Sequence, residues 1–309
     1  MKAAFLKQRT GYEGLVTGDL DNPTAGPGQV LIGVHATAVT PTEFEWFPTF
    51  SAADGRPRAF PIILSHEFSG VVAAAGQDVT HLKVGDFVYG LNDWFQNGAQ
   101  AEFCVAPAEA VGLKPRSLDH VQSAVVPLSA LTAWQGLFDH GKLNPGNRVL
   151  IHGAAGGVGV FAVQLARWRG AKVCATASAK NLDFVRELGA DEVVDYKTGR
   201  FEDVARDMDL VFDAAGGDTL SRSWAVLRPG GRMVTIAAGE EATNDQRTKD
   251  AFFIVQPNRT QLAEIALLLD AGKMRPFVEG VYRLNEVRTA FERAARGGMR
   301  GKVALNLET

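Results

Sequence analysis

The stretch Ile151-His-Gly-Ala-Ala-Gly-Gly-Val-Gly159 governs how the rest of the chain reads. It follows the apolar run Val149-Leu-Ile151, a buried-strand signal. It opens a segment, Val158–Arg169, whose apolar residues Val158, Phe161, Ala162, Leu165 and Ala166 recur at helical spacing. A glycine-rich turn between a strand and a helix is the context of a dinucleotide-binding turn. Gly153 can supply the tight turn, Gly156 lets backbone approach a pyrophosphate, and Gly159 lets the helix pack on the strand. Ala155, Gly157 and Val158 then belong to the turn whose free N–H groups meet phosphate at the positive end of the helix dipole. A tight turn with no ligand is the alternative, since loops carry glycine for many reasons.

Outward from this turn the strand–helix rhythm continues. Lys172–Ala177 reads as a strand, Asn181–Leu188 as a helix, Glu192–Asp195 as a strand, Asp209–Ala214 as a strand, Thr219–Leu227 as a helix and Arg232–Ala237 as a strand. Repeated units of this kind imply a parallel sheet with helices on both faces, here a doubly wound α/β domain. Ala237–Lys249 is polar and reads as a mobile loop. Beyond it, Gln261–Ala271 and Asn285–Ala295 look helical and Lys302–Leu307 looks like a last strand. Residues 1–120 differ: short runs such as Val30–Val34, Phe68–Ala73, Val84–Tyr89 and Ala101–Val105 lie between Gly and Pro signals, as in a β-rich, barrel-like unit.

The region after the second strand bears on which dinucleotide binds. An NAD site places an acidic residue about 20 positions beyond the turn, on the ribose 2′-hydroxyl. Counting 19 from Gly159 reaches Ser178, in Thr176-Ala-Ser-Ala-Lys-Asn181, and no carboxylate follows until Asp183. A hydroxyl and a cation suit a 2′-phosphate, which a carboxylate would repel. Ser178 and Lys180 therefore point to NADP(H). A solvated lysine in a first helical turn has the same appearance.

The 309 residues and 33.2 kDa suggest two domains or one large one. With 46% hydrophobic and 22% charged residues, the composition is that of a globular protein, not a fibre or a disordered chain. Thirty-two basic against 35 acidic residues give a net charge of −3, which advertises no nucleic-acid partner. Cys104 and Cys174 are too few for a disulfide scaffold or a four-cysteine zinc lobe, and they fit a reducing compartment. The N-terminal apolar stretch is too short for a signal h-region. The longest apolar stretch, around Val121–Phe138, is interrupted by Gln122, Pro127 and Gln135, so no membrane span is expected. The expected address is the cytosol.

With these motifs in place, the whole chain resembles the medium-chain dehydrogenase/reductase superfamily, and within it the zinc-independent quinone oxidoreductases. The resemblance is carried by Gly26-Pro-Gly-Gln-Val-Leu31, Gly70-Val-Val, Val84-Gly-Asp-Phe-Val-Tyr-Gly90, Gly98-Ala-Gln-Ala-Glu102, Leu131-Thr-Ala-Trp134, Ala154–Gly159, Leu227-Arg-Pro-Gly-Gly231 and Arg300-Gly-Lys-Val-Ala304. It implies a GroES-like catalytic domain from residues 1–123 and 263–309, with a Rossmann domain, 124–262, between them. It also implies that Tyr196 lies near the adenosine ribose phosphate, that Thr132, Phe252 and Phe253 lie near the nicotinamide, and that Ala214 and Ala237 line the cofactor groove. Packing at a sheet edge is the alternative for the two phenylalanines. A homodimer through the Rossmann sheet edge is a further expectation.

Zinc-dependent relatives carry an early Cys, a Gly-His-Glu and a later Cys or Asp. Here the first position falls in Val39-Thr-Pro-Thr-Glu-Phe44 and the third near Leu128–Thr132, neither with a Cys, while Ser65-His-Glu67 keeps the His. No metal site is expected. Quinone-reductase relatives show Asn-Pro-x-Asp where this chain has Thr40-Pro-Thr-Glu43, so no role for that Asn carries over. Thr132, Thr40 and His66 are the catalytic candidates; the Thr132 hydroxyl, backbone amides and His66 are the donor types available to a developing oxyanion. Glu43, Trp46 and Trp94 are candidates for the substrate pocket, the aromatics as a wall for a flat conjugated molecule or as core. No nucleophile elbow or other covalent signature occurs. The leading expectation is NADPH-dependent hydride transfer, without metal, to a quinone or an α,β-unsaturated carbonyl. An alkenal or enoyl-thioester reductase, a zinc alcohol dehydrogenase and a non-catalytic NADPH-binding protein are the alternatives.

Overall fold

The computed structural model describes residues 1–237 and 245–308. Its centre is a five-stranded parallel sheet. In spatial order the strands are Glu192–Asp195, Lys172–Ala177, Arg148–His152, Met208–Asp213 and Leu227–Thr235. The order reverses beside Arg148–His152, which makes the switch point of a doubly wound sheet, and ligands bind outside the carboxyl ends of strands there. Val149, Leu150 and Ile151 are fully buried, as the unbroken apolar run requires of a central parallel strand. The helix Gly159–Trp168 packs on it through Val160, Phe161, Val163 and Leu165.

The second sheet is largely antiparallel and built from both chain ends. Gln29–Val39 pairs with Glu67–Ala75, with Phe103–Pro107 and with the C-terminal strand Lys302–Asn306, where Ala304 lies opposite Ala38. Val278–Arg283 extends it in parallel to Lys302–Asn306. A small third sheet joins Leu15–Asp19, Lys2–Leu6 and Ile62–Ile63. The fold is thus a Rossmann-type α/β sheet combined with a GroES-like β-rich unit. The boundary expected at 262/263 falls inside one helix, Arg259–Asp270, whose Leu262 carbonyl accepts from the buried Tyr89 hydroxyl of the β-rich unit at 2.6 Å.

One stretch goes beyond the sequence reading and one departs from it. The apolar run near residue 130 is a buried helix, Pro127–Trp134, continued by a π-helical turn, Gln135–His140. Of the polar segment 237–249, residues 238–244 lie outside the described residues. Gln246–Ala251, expected as loop, is a helix capped by Asp245, whose carboxylate accepts from the Arg247 N–H at 2.9 Å. Its polar face is solvated, which is why it reads as a loop, and the cap and the docking of Phe253 close the turn. Among the described residues, no helix is long and apolar enough to cross a membrane.

Candidate active site at the carboxyl edge of the parallel sheet

The glycine turn has the geometry a phosphate site needs. Gly153 sits at φ +71°, in the left-handed region. A methyl group at Gly159 would fall 2.1 Å from the Gly153 carbonyl oxygen, so only glycine lets the helix start so close to the strand. No side chain caps this helix; Val160 and Phe161 donate to the Gly156 and Val158 carbonyls, and the N–H groups of Gly157, Val158 and Gly159, without acceptors among the described residues, are left for an anion. Ala214 faces Gly153 and Ala237 faces Gly216, so the residues after the first, fourth and fifth strands in sequence converge on one crevice. Asp213 holds the intervening loop by accepting from the N–H groups of Ala215 and Gly216 at 3.1 Å.

Ser178, Lys180 and Tyr196 gather at the end of the neighbouring strand. Ser178 precedes the short turn Ala179–Asn181 and makes no side-chain cap bond. The Tyr196 N–H donates to the Ala177 carbonyl at 3.2 Å, and its ring is 57% exposed. The sequence reading left Arg300 without a role, yet it completes this group. Its guanidinium donates to the Lys180 carbonyl and to Asn181 Oδ1, each at 2.9 Å, and lies over the Phe184 ring. The next residue, Gly301, donates its N–H to the Ala155 carbonyl of the glycine turn at 2.9 Å. The one after, Lys302, lays its stem against Gly157. Three consecutive residues that lead into the C-terminal strand therefore border the groove. Their signal in the sequence was the Arg300–Ala304 motif, which named a family and not a role.

At the far end of that groove is a buried polar cluster. The Lys302 ammonium donates to Thr40 Oγ1 at 3.0 Å and forms an ion pair with Glu67. Burial pushes the Glu67 carboxyl up from its ordinary range, opposed by Lys302 and by the Leu128 N–H that it accepts at 3.1 Å. His66 and Glu43 form a second pair, with Nδ1 to Oε1 at 2.7 Å. Glu43 also accepts from the Ser65 N–H at 2.9 Å, and His66 Nε2 is 3.3 Å from the Gln96 carbonyl.

Several candidates change role on this geometry. Glu43 is fully buried and committed to His66 and Ser65, so it does not face a substrate pocket. Both nitrogens of His66 are engaged within the protein. The Thr132 hydroxyl lies 2.6 Å from the Leu128 carbonyl, which can only accept, so its proton is spent inside its own helix. The Phe253 ring is buried, 4.4 Å from His140, while Phe252 keeps an exposed face. Trp46 and Trp94 pack edge to face at 5.8 Å, and Trp94 lies 5.6 Å from His66. A cavity of about 340 Å³ is lined by Phe95 and Gln96, which follow Trp94 in the chain, and by none of the candidates. A second, of about 680 Å³, lies at the other end of the helix Gly159–Trp168 and touches none of the candidates.

The donor set does not fit a zinc ion. Where zinc-dependent relatives carry their first Cys, this chain presents Thr40 to an ammonium. Among the described residues, no group of three or more His, Cys, Asp or Glu side chains could hold a metal. Both thiols, Cys104 and Cys174, are pushed up to about 12 by burial and stay protonated away from this cluster.

Comparison with known proteins agrees with this architecture. Residues 26–116 match the alcohol dehydrogenase GroES-like domain and residues 188–305 the family described as zinc-binding dehydrogenase. A mitochondrial NAD(P)H oxidoreductase of Danio rerio is 32% identical, over 91% of this chain and 84% of its own. Its address differs from the cytosol expected for this chain. The 2-methylene-furan-3-one reductase of Solanum lycopersicum is 32% identical over 92% of this chain and 73% of its own. The solved quinone oxidoreductase of Coxiella burnetii superposes with a TM-score of 0.91 at 29% identity, covering 100% of this chain and 99% of the other. Glycine turn, sheet order and both family matches converge: the chain belongs to the medium-chain dehydrogenase/reductase superfamily, on its quinone oxidoreductase-like branch.

Proposed function

We propose that the protein is an NADPH-dependent reductase of quinones or α,β-unsaturated carbonyls that works without a metal. The observation that carries this reading is the Lys302 side chain, which runs from the glycine turn to Thr40 and so joins the cofactor groove and a buried donor cluster in one site. Relatives named for quinone and enone reduction support the substrate class. The bound nicotinamide supplies hydride. The protein's own residues hold, orient and neutralise. The uncapped start of Gly159–Trp168 receives the diphosphate. Ser178 and Lys180 receive the 2′-phosphate, with Tyr196 beside it and Arg300 bracing the turn. Trp46 and Trp94, packed edge to face, form an apolar wall. Charge that develops on the substrate oxygen meets hydroxyl and ammonium donors in place of a Lewis acid. The exposed Phe252 and Ile254, beside the edge strand Leu227–Thr235, form part of a homodimer contact.

The test is oxidation of NADPH and NADH by chelator-treated protein with 1,4-benzoquinone, 9,10-phenanthrenequinone and an alkenal in parallel. Turnover with NADPH and little with NADH is expected. Lys180→Ala should raise the KM for NADPH about tenfold to a hundredfold, the scale of one charge-assisted hydrogen bond, and leave NADH unchanged. Equal use of both nucleotides would sink the 2′-phosphate assignment. Reduction of no acceptor would sink the reductase reading.

A further inference from the structure

We propose that Thr40 is the proton donor to the substrate oxygen and that Lys302, held by Glu67, polarises and resupplies it. This rests on the reductase reading above and names the residues that complete its reaction. Of the three catalytic candidates, Thr132 donates its hydroxyl proton to the Leu128 carbonyl, and His66 is buried with both nitrogens engaged. Thr40 differs on both counts. It is half-buried, and it accepts from Lys302 at 3.0 Å, so its own O–H is left over; no acceptor takes it among the described residues. An accepted bond from an ammonium makes that O–H a stronger acid. Lys302 has three protons and two partners, Thr40 and Glu67. Its stem lies against Gly157, which sets the relay beside the cofactor groove.

The step balances as follows. Hydride, with its electron pair, adds to the β-carbon of the unsaturated carbonyl while the nicotinamide is oxidised. The C=C π pair shifts towards the carbonyl carbon and the C=O π pair moves onto oxygen. The Thr40 O–H bond breaks and a new O–H bond forms on the enol. A Lys302 N–H proton passes to the Thr40 oxygen, which leaves a neutral amine beside the Glu67 carboxylate. Water reprotonates the amine, and the enol becomes the saturated carbonyl in solvent. Lys302 acts through Thr40 and is a positioning residue.

A quinone separates this role from a structural one. Its product anion is a phenolate, a weak base that leaves without help, whereas an enolate needs a proton. Thr40→Val and Thr40→Ala, both made so that failure of one to fold leaves the other, should lower kcat on an alkenone about a hundredfold or more. The loss on 1,4-benzoquinone should be much smaller, the KM for NADPH should stay unchanged, and Thr40→Ser should restore the alkenone rate. A second readout needs no turnover: the affinity of the cofactor-free protein for 4-nitrophenolate, followed by absorbance, should fall about tenfold to a hundredfold in both variants. Equal losses on both acceptors, an unchanged alkenone rate or unchanged phenolate binding would overturn the relay. A wild-type protein that reduces neither acceptor would overturn the reductase reading and the relay with it.

Discussion

At Gly159 a single methyl group decides whether the phosphate turn closes, because it would lie 2.1 Å from the Gly153 oxygen and 2.7 Å from Ala154 backbone. Gly159→Ala should cost about 1–3 kcal/mol of stability, as overpacking does, and should weaken NADPH binding measured by fluorescence titration. His152, fully buried under the same turn, acts through pH. Ser223 Oγ donates to the Thr219 carbonyl, so it accepts from His152 Nε2–H at 2.9 Å, and Nδ1 faces Thr176 Oγ1 at 2.9 Å. Burial pushes this imidazole down to about 4. The unfolded chain, with an ordinary pKa of about 6.5, takes up a proton that the native state refuses. The stability contributed by the neutral ring is whole above pH ~6.5 and is lost as pH falls towards 4. His120, also lowered to about 4 by burial, adds in the same direction. Denaturant unfolding followed from pH 7 to pH 4 should show this fall, and His152→Gln should reduce its slope.

Among the elements, the π-helical turn Gln135–His140 has the most to explain, since it holds the segment that carries Phe252 and Phe253. The Gln135 side chain accepts from the Gln256 N–H at 2.9 Å and donates to the Gln256 carbonyl at 2.7 Å and to Gln261 Oε1 at 2.8 Å. Gln135→Leu should cost about 1–3 kcal/mol by leaving these buried groups without partners. It should also raise the KM for NADPH, because the family resemblance places Phe252 and Phe253, on the same segment, near the nicotinamide. A thermal melt and steady-state kinetics check both. Element by element, the apolar runs were legible. Lys172–Ala177 and Glu192–Asp195 begin and end where their sequence suggests. Val278–Arg283 was not read, because it is half-exposed and Glu279-Gly280 breaks its alternation. The helix Pro127–Trp134 hid in an apolar run with no polar face to give it a period.

Across the whole molecule, the Lys302–Glu67 pair joins residues 235 apart in sequence and ties the C-terminal strand to the β-rich sheet and to the phosphate turn. Lys302→Met should cost about 3–5 kcal/mol, since it strands a buried carboxylate without its counter-ion. Adding Glu67→Gln should return part of that loss, and denaturant midpoints of the two variants check the pair. Sequence by itself determined the class of this protein. Local spacing dictates a strand, a glycine turn and a helix, and the repetition of that unit dictates a parallel sheet with a phosphate site at its edge. It also ruled out a disulfide scaffold, because that depends only on counting cysteines. Only the tertiary structure decided which candidate side chains are free to act. It buried Glu43 and His66 against each other, turned the Thr132 proton into its own helix, and brought Arg300, Gly301 and Lys302 from the far end of the chain to border the groove. Whether a polar group is spent or available depends on its partners, and these partners come from distant segments that only the packed core brings together.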